Sequence, residues 1–238
     1  MAEWTLLESI LFCHSAISVR SFSQSFGASG RLDAEYYQPK FERLFAQLER
    51  FKSVRLGDIV DLQKSIEPGS DAYQSEGIPF VRVSDLSKLG ISQTDKYLNP
   101  NDFSNVIRPK KDTILLTKDG TVGIAYCVPQ DLDVITSGAI VHLSLKTESV
   151  LPNYLTLVLN SFAVQLQAER DAGGSIIQHW KPSEILDVTI PILPKEIQQT
   201  ISDRVQESFK LKQESEYLLE QSKCLVENEI EVRGRESA

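Results

Sequence analysis

Between Lys195 and Arg233 the chain runs without a glycine or a proline, and this stretch constrains the possible folds more than any other. Leu211, Leu218 and Leu225 fall seven residues apart and are followed by Val232, while Ser208, Ser215 and Ser222 stand three residues ahead of each leucine. A seven-residue repeat with leucine at one seam position and a small residue at the other describes a helix shaped to pack closely on another helix. At about 1.5 Å per residue it would reach more than roughly 50 Å. One domain of this size cannot cover it all, so much of the seam is expected to meet a helix from this chain or from a second copy. The alternative is a helix folded back on its own domain, against the amphipathic stretch at 35–52.

Upstream the texture differs. Residues 1–30 form a poorly patterned lead-in broken by Gly27, Ser29 and Gly30. Tyr37, Phe41, Leu44, Leu48 and Phe51 then recur at spacings of 4, 3, 4 and 3, which predicts one face of an amphipathic helix, with Asp33 as its N-cap and Pro39 in its first turn. From Val54 to about Pro194 short β-rich runs alternate with turn signals: 77–84 (GIPFVRVS), 113–117 (TILLT), 122–128 (VGIAYCV), 134–136 and 139–145 (AIVHLSL). Lys118-Asp119-Gly120 between two of them predicts a hairpin turn. One helix from Pro152 to about Arg170 interrupts the strands, with Leu155, Leu159, Phe162 and Leu166 on one side, and Gly173-Gly174 ends it. The expected fold is α+β: one globular domain of short, mostly antiparallel strands and helices, then a long C-terminal helix forming a coiled-coil-like pair. The expected divisions are 1–53, 54–194 and 195–238.

Composition narrows the function classes. The net charge is −8, and no division hides a basic domain: 54–190 carries 12 basic and 17 acidic residues. A free-standing duplex binder draws much of its affinity from neutralised phosphates, so any DNA binding here needs a local basic patch or a partner's charge. Cys13, Cys127 and Cys224 are scattered, as are His14, His142 and His179, so neither a disulfide framework nor a zinc site is expected. The apolar opening from Trp4 to Phe12 contains Glu8, and no basic residue precedes Arg20, the reverse of a secretory signal. No apolar run approaches a membrane span. A cytoplasmic protein is expected.

Three blocks carry a resemblance. The phrase IPFVRVSDL (78–86), the strand-turn-strand DTILLTKDGTVGIAYCV (112–128), and GGSIIQHWKPSEILDVTIPILPKEIQQTISDRV (173–205) follow one another in an order and spacing that resemble type I restriction–modification specificity (S) subunits. RLDAEYYQPKF (31–41) resembles the family's lead into a recognition domain. Together these span about 31 to 230. The resemblance implies that 54–194 is a target-recognition domain and 195–232 a conserved spacer helix. In the family two such domains and two antiparallel helices set the distance between half-sites. With one of each, this chain resembles a half subunit that would regain the full architecture by pairing two copies.

Catalytic signatures are missing. Adenine methyltransferases need an Asn/Asp-Pro-Pro-aromatic loop, and Asn99-Pro100-Asn101-Asp102 lacks the second proline and the aromatic. There is no phosphate-binding lysine loop, no carboxylate cluster followed by a lysine, and no nucleophile context for Ser, Cys or His. The resemblance accordingly implies a non-catalytic subunit with no cofactor of its own, S-adenosylmethionine belonging to the partner methyltransferase. Implied partners are double-stranded DNA, methyltransferase (M) subunits, a restriction (R) subunit as a further candidate, and a second copy through the seam Ser208, Leu211, Ser215, Leu218, Ser222 and Leu225.

Base edges are read by polar side chains on loops, and phosphates by Lys, Arg, hydroxyls and backbone N–H groups. Candidates are Arg82 and Ser84 after the first phrase; Lys118, Gly120 and Thr121 at the turn; and Ser175, Gln178, His179 and Lys181 beside two glycines. Arg108, Lys110 and Lys111 form the densest basic run. Each set has a plain structural alternative: a strand-surface ion pair, a solvated hairpin, a solvated turn. Trp180 is expected in the core. The function the resemblance implies is DNA half-site recognition that positions a separate adenine methyltransferase. The alternative is an acidic helical adaptor without DNA readout.

Overall fold

The computed structural model describes residues 17–172 and 178–236, with side chains to 231. The Trp4–Phe12 stretch, Cys13, His14, Gly173, Gly174, Ser175 and the Val232 side chain lie outside these. In chain order the helices are α1 (Phe26–Ser29), α2 (Pro39–Leu48), α3 (Leu56–Ile59), α4 (Pro152–Leu159), α5 (Phe162–Asp171), α6 (Pro182–Leu186) and α7 (Lys195–Glu236). The strands are β1 (Ser53–Arg55), β2 (Val60–Lys64), β3 (Ile78–Val81), β4 (Leu86–Ser87), β5 (Gly90–Ile91), β6 (Tyr97–Leu98), β7 (Ile114–Thr117), β8 (Asp119–Gly120), β9 (Ala125–Cys127), β10 (Ile135–Thr136), β11 (Ile140–Leu145), β12 (Gln178–His179) and β13 (Thr189–Pro191).

The central sheet is antiparallel in the order β2-β11-β7-β9. Its inner strands read as continuous apolar runs because both faces are covered. Ile114, Leu116, Val141 and Leu143 point to one side, onto Leu155, Leu159, Val164, Trp180 and Ile185. Leu115 and Ile140 point to the other, onto Val81, Leu86 and Val128. A second sheet, β10-β3-β6, contains a parallel pair, β10 with β3, and builds its own cluster around Ile78, Phe80, Leu98 and Ile135. The remaining strands pair in twos: β1 with β13, β4 with β5, and β8 with β12. The fold is thus mixed α and β, mostly antiparallel, with a long C-terminal helix.

Several expected elements are differently cut. The amphipathic stripe forms α2, whose Phe41, Leu44 and Leu48 bury against Leu166 of α5. Asp33 is not its cap. Gln38 occupies that position with extended backbone and Pro39 takes the first helical position, because proline favours a helix start and pushes its predecessor out of the helical region. Phe51 lies past the helix end and is exposed. The helix expected from 152 to 170 is two helices, broken at Asn160-Ser161. There the Asn160 side chain leaves the helix pattern and hydrogen-bonds the outer edge of β9, accepting from Ala125 N at 3.0 Å and donating to Ala125 O at 2.7 Å. Asparagine competes with the helix backbone in this way, and an otherwise open sheet edge is covered. Gln167 treats β13 similarly, through Thr189 N and O at 2.8 and 3.0 Å. The strand expected over 77–84 stops at Val81, where a 3₁₀ turn begins, and the one over 122–128 is reduced to 125–127.

The origin of α7 is held by one side chain. Gln198 accepts from Leu151 N at 3.0 Å and donates to Leu193 O at 2.9 Å and Ser149 O at 3.2 Å, almost wholly buried. The first turns of α7 lie along α4, and Phe209 meets Tyr126 edge-on. Beyond that the helix leaves the body. Leu211, Leu218 and Leu225 are 57%, 53% and 69% exposed, and Ser208, Ser215 and Ser222 are exposed too. The fold-back of the seam onto 35–52 does not occur among the described residues, since α2 is spent on α5.

Candidate nucleic-acid interface

The Lys118-Asp119-Gly120 turn is more than a hairpin. Its last two residues form β8 and pair antiparallel with β12, setting Asp119 opposite His179 and Gly120 opposite Gln178. Two segments about sixty residues apart in sequence thereby become one surface. Trp180, 1% exposed, roots it in the core, and its backbone N donates to Lys118 O at 2.8 Å. Gly120 has φ +74°, a left-handed conformation that favours glycine, and nothing lies within 4 Å of where a Cβ would stand. Gly120, Thr121, Gln178 and His179 are all exposed.

Asp119 organises this ridge. One carboxylate oxygen, Oδ2, accepts from the Lys118 ammonium; the other, Oδ1, lies 2.9 Å from His179 Nδ1. Burial alone would raise its pKa, but the bonds from Lys118 and His179 outweigh that and hold it below the usual carboxylate value. Lys118 is only 15% exposed, whereas His179 is 64% exposed. Lys181 is the N-cap of α6: its backbone N donates to Glu184 Oε2 at 3.0 Å and its ammonium to Glu184 Oε1 at 3.0 Å, the rest of its side chain lying in solvent.

Arg82 and Ser84 lie across the Ser137–Ala139 turn from this ridge: Ser137 N donates to Val81 O, and Lys118 N donates to Ala139 O. The Arg82 guanidinium is committed to Asp85, at 3.0 and 3.2 Å, and to Asp95 at 2.7 Å, and Ser84 bonds Asp85 at 3.2 Å. Burial pushes Asp85 up, and its bonds from Arg82 more than reverse that. Arg108, Lys110 and Lys111 stand at the opposite end of β7. Arg108 is bound to Asp133 and to the carbonyls of Val106 and Phe103; Lys110 pairs with Asp131 at 3.1 Å, and Lys111 donates its backbone N to the same carboxylate. There Lys110 and Lys111 join Lys146 and Lys195, beside Glu148, around a cleft of about 720 Å³. Ser175 lies outside the described residues.

Sequence reasoning passed over Asp119, Lys146, Lys195, the half-buried Asn160 and the buried amides Gln167 and Gln198. Asn160 and Gln167 left a signal, polar residues among apolar helical ones; Gln198, the His179 partner of Asp119 and the lysines that meet at the cleft are defined only by contacts distant in sequence. Among the described residues no group of three or more His, Cys, Asp or Glu could hold a metal ion, and no helix is long and apolar enough to cross a membrane.

The family described as the type I restriction modification DNA specificity domain matches residues 49–221, from the end of α2 to well along α7. The chain belongs to that family. Membership in a DNA-specificity family makes it a non-catalytic targeting module. Similar folds occur in a structure from a study of complex assembly and conformational transition of the type I R-M system (18% identity, 75% of this chain and 47% of that one, TM-score 0.52). Others are the type IIG restriction endonuclease BpuSI (12%, 70% and 28%, 0.52) and the HsdS subunit from Thermoanaerobacter tengcongensis (16%, 74% and 46%, 0.49). This chain spans less than half the length of each of these structures. No curated protein gives a significant match.

Proposed function

We propose that this specificity-domain protein reads one DNA half-site through its recognition body, residues 54–194, and delivers a separate adenine methyltransferase subunit to it. In this reading the β8–β12 ridge meets the bases with Thr121, Gln178 and His179, Ser175 remains a candidate base contact from its sequence alone, and Lys118, Lys181 and the lysines of the far cleft serve backbone phosphates. Arg82, Ser84 and Arg108 are held in ion pairs or hydrogen bonds and act first as scaffold. The 195–238 segment pairs, through Ser208, Leu211, Ser215, Leu218, Ser222 and Leu225, with the same helix of a second copy. Two identical halves related by a two-fold axis would read a bipartite palindrome. The protein would act in the cytoplasm, with S-adenosylmethionine carried by the methyltransferase and a restriction subunit as a further partner.

The observation that carries this reading is the family match itself, which covers both the body and α7 as far as residue 221, a helix whose leucine seam is left in solvent. A net charge of −8 adds a condition. Alone, the protein should bind duplex weakly and with little discrimination; with its methyltransferase it should bind tightly and specifically. Fluorescence-anisotropy titrations with and without the methyltransferase subunit test this, and tight, sequence-specific binding by the isolated chain would contradict it. An adaptor without DNA readout predicts that neutralising Lys118 and Lys181 leaves the complex's DNA binding unchanged.

A further inference from the structure

The Asp119–His179 contact decides which hydrogen-bonding face the exposed imidazole shows to a ligand. An ionised carboxylate only accepts, so the Nδ1 that lies 2.9 Å from Asp119 Oδ1 must carry a proton. In the neutral ring the outer nitrogen, Nε2, is then a bare acceptor. The arrangement is stiff: Asp119 and His179 are direct cross-strand neighbours, Lys118 engages the other carboxylate oxygen, and Trp180 anchors the next residue in the core. Asp119 is mostly buried while His179 stands out in solvent, so the ring is oriented from behind and open in front.

We infer that His179 is a base-reading residue that presents Nε2 as an acceptor to an exocyclic amine in the major groove, that of adenine N6 or cytosine N4. Asp119 is its positioning residue. Amine donors occur on the major-groove edges of adenine and cytosine and are absent from those of guanine and thymine. The inference rests on the DNA-reading role proposed above and adds to it one residue, one atom and one class of base.

The arrangement also says how to invert the preference. In Asp119→Asn, the Lys118 ammonium, which can only donate, would claim the amide oxygen. The amide NH₂ would then face His179 Nδ1, moving the ring proton to Nε2 and turning the outer atom into a donor. The preferred base should become one with an acceptor there, guanine or thymine.

The test is selection from a randomised duplex pool by the full chain in complex with its methyltransferase, at about pH 8. The wild-type complex should enrich a motif with adenine or cytosine at one position. His179→Ala removes an exposed side chain, leaves the fold intact, and should cost that position about tenfold in discrimination while sparing the others. Asp119→Asn should shift the same position toward guanine or thymine, a change of identity that mere loosening of the loop cannot produce. A wild-type motif reproduced unchanged by both variants would overturn the His179 assignment and leave the DNA-reading role standing. Failure of the wild-type complex to enrich any sequence would overturn both.

Discussion

His142 and Trp180 show what burying polar side chains does here: each leaves one ring nitrogen, Nδ1 and Nε1, without a hydrogen-bond partner among the described residues. His142 sits on β11 under the second apolar cluster, 1% exposed. Its Nε2 lies 2.8 Å from the Thr136 hydroxyl. Burial pushes its pKa down to about 4. Because the folded state disfavours the proton, the unfolded chain binds more protons between pH about 4 and the ordinary value of ~6.5. Stability should therefore be complete above about pH 6.5 and fall as pH drops toward 4, by roughly 3 kcal/mol in all. Urea midpoints at pH 7 and pH 5 should differ in the wild type and converge in His142→Leu; an unchanged slope in that variant would remove His142 as the cause. Trp180 makes a second case. Its removal takes away the largest fully buried side chain and the root of β12, so Trp180→Ala should cost about 3–5 kcal/mol in urea unfolding.

At the scale of elements, the amides act as substitute strands. Asn160 gives β9 both hydrogen bonds that a neighbouring strand would have given. Asn160→Ala should leave Ala125 N and O unpaired and destabilise by about 2–3 kcal/mol, seen as a lowered urea midpoint; a loss below about half a kcal/mol would mean water replaces the side chain freely. What the sequence revealed and concealed follows the range of the interactions. The long helix was legible because its heptads are a local periodicity, and the central strands because β-branched and leucine runs flanked by turn residues need no distant partner. The break at Asn160, the start of α2 at Pro39 and the ridge made by β8 and β12 were less legible. Asn160 leaves its helix for Ala125, 35 residues away, and Asp119 finds its role only opposite His179, 60 residues on. Lys146 and Lys195 look like solvated charges until the fold sets them beside Lys110 and Lys111.

As a whole molecule, the protein is a recognition body carrying an uncovered helix. Gln198 fixes where that helix departs, and the leucine seam beyond it lies in solvent. On the proposed pairing, the wild type should run as a dimer in multi-angle light scattering at tens of micromolar, and Leu218→Lys, which places a charge mid-seam on an exposed position, should shift it to monomer without changing its urea midpoint as a monomer. A monomeric wild type would count against self-pairing and leave the recognition role intact. That role is the central claim, and it is tested most directly in cells. Co-expression with the methyltransferase encoded nearest to it, followed by genome-wide sequencing of N6-methyladenine, should reveal a new bipartite methylated motif that is absent without this chain and palindromic if two identical halves read it. A stable complex with the methyltransferase that adds no methylated motif would contradict the account.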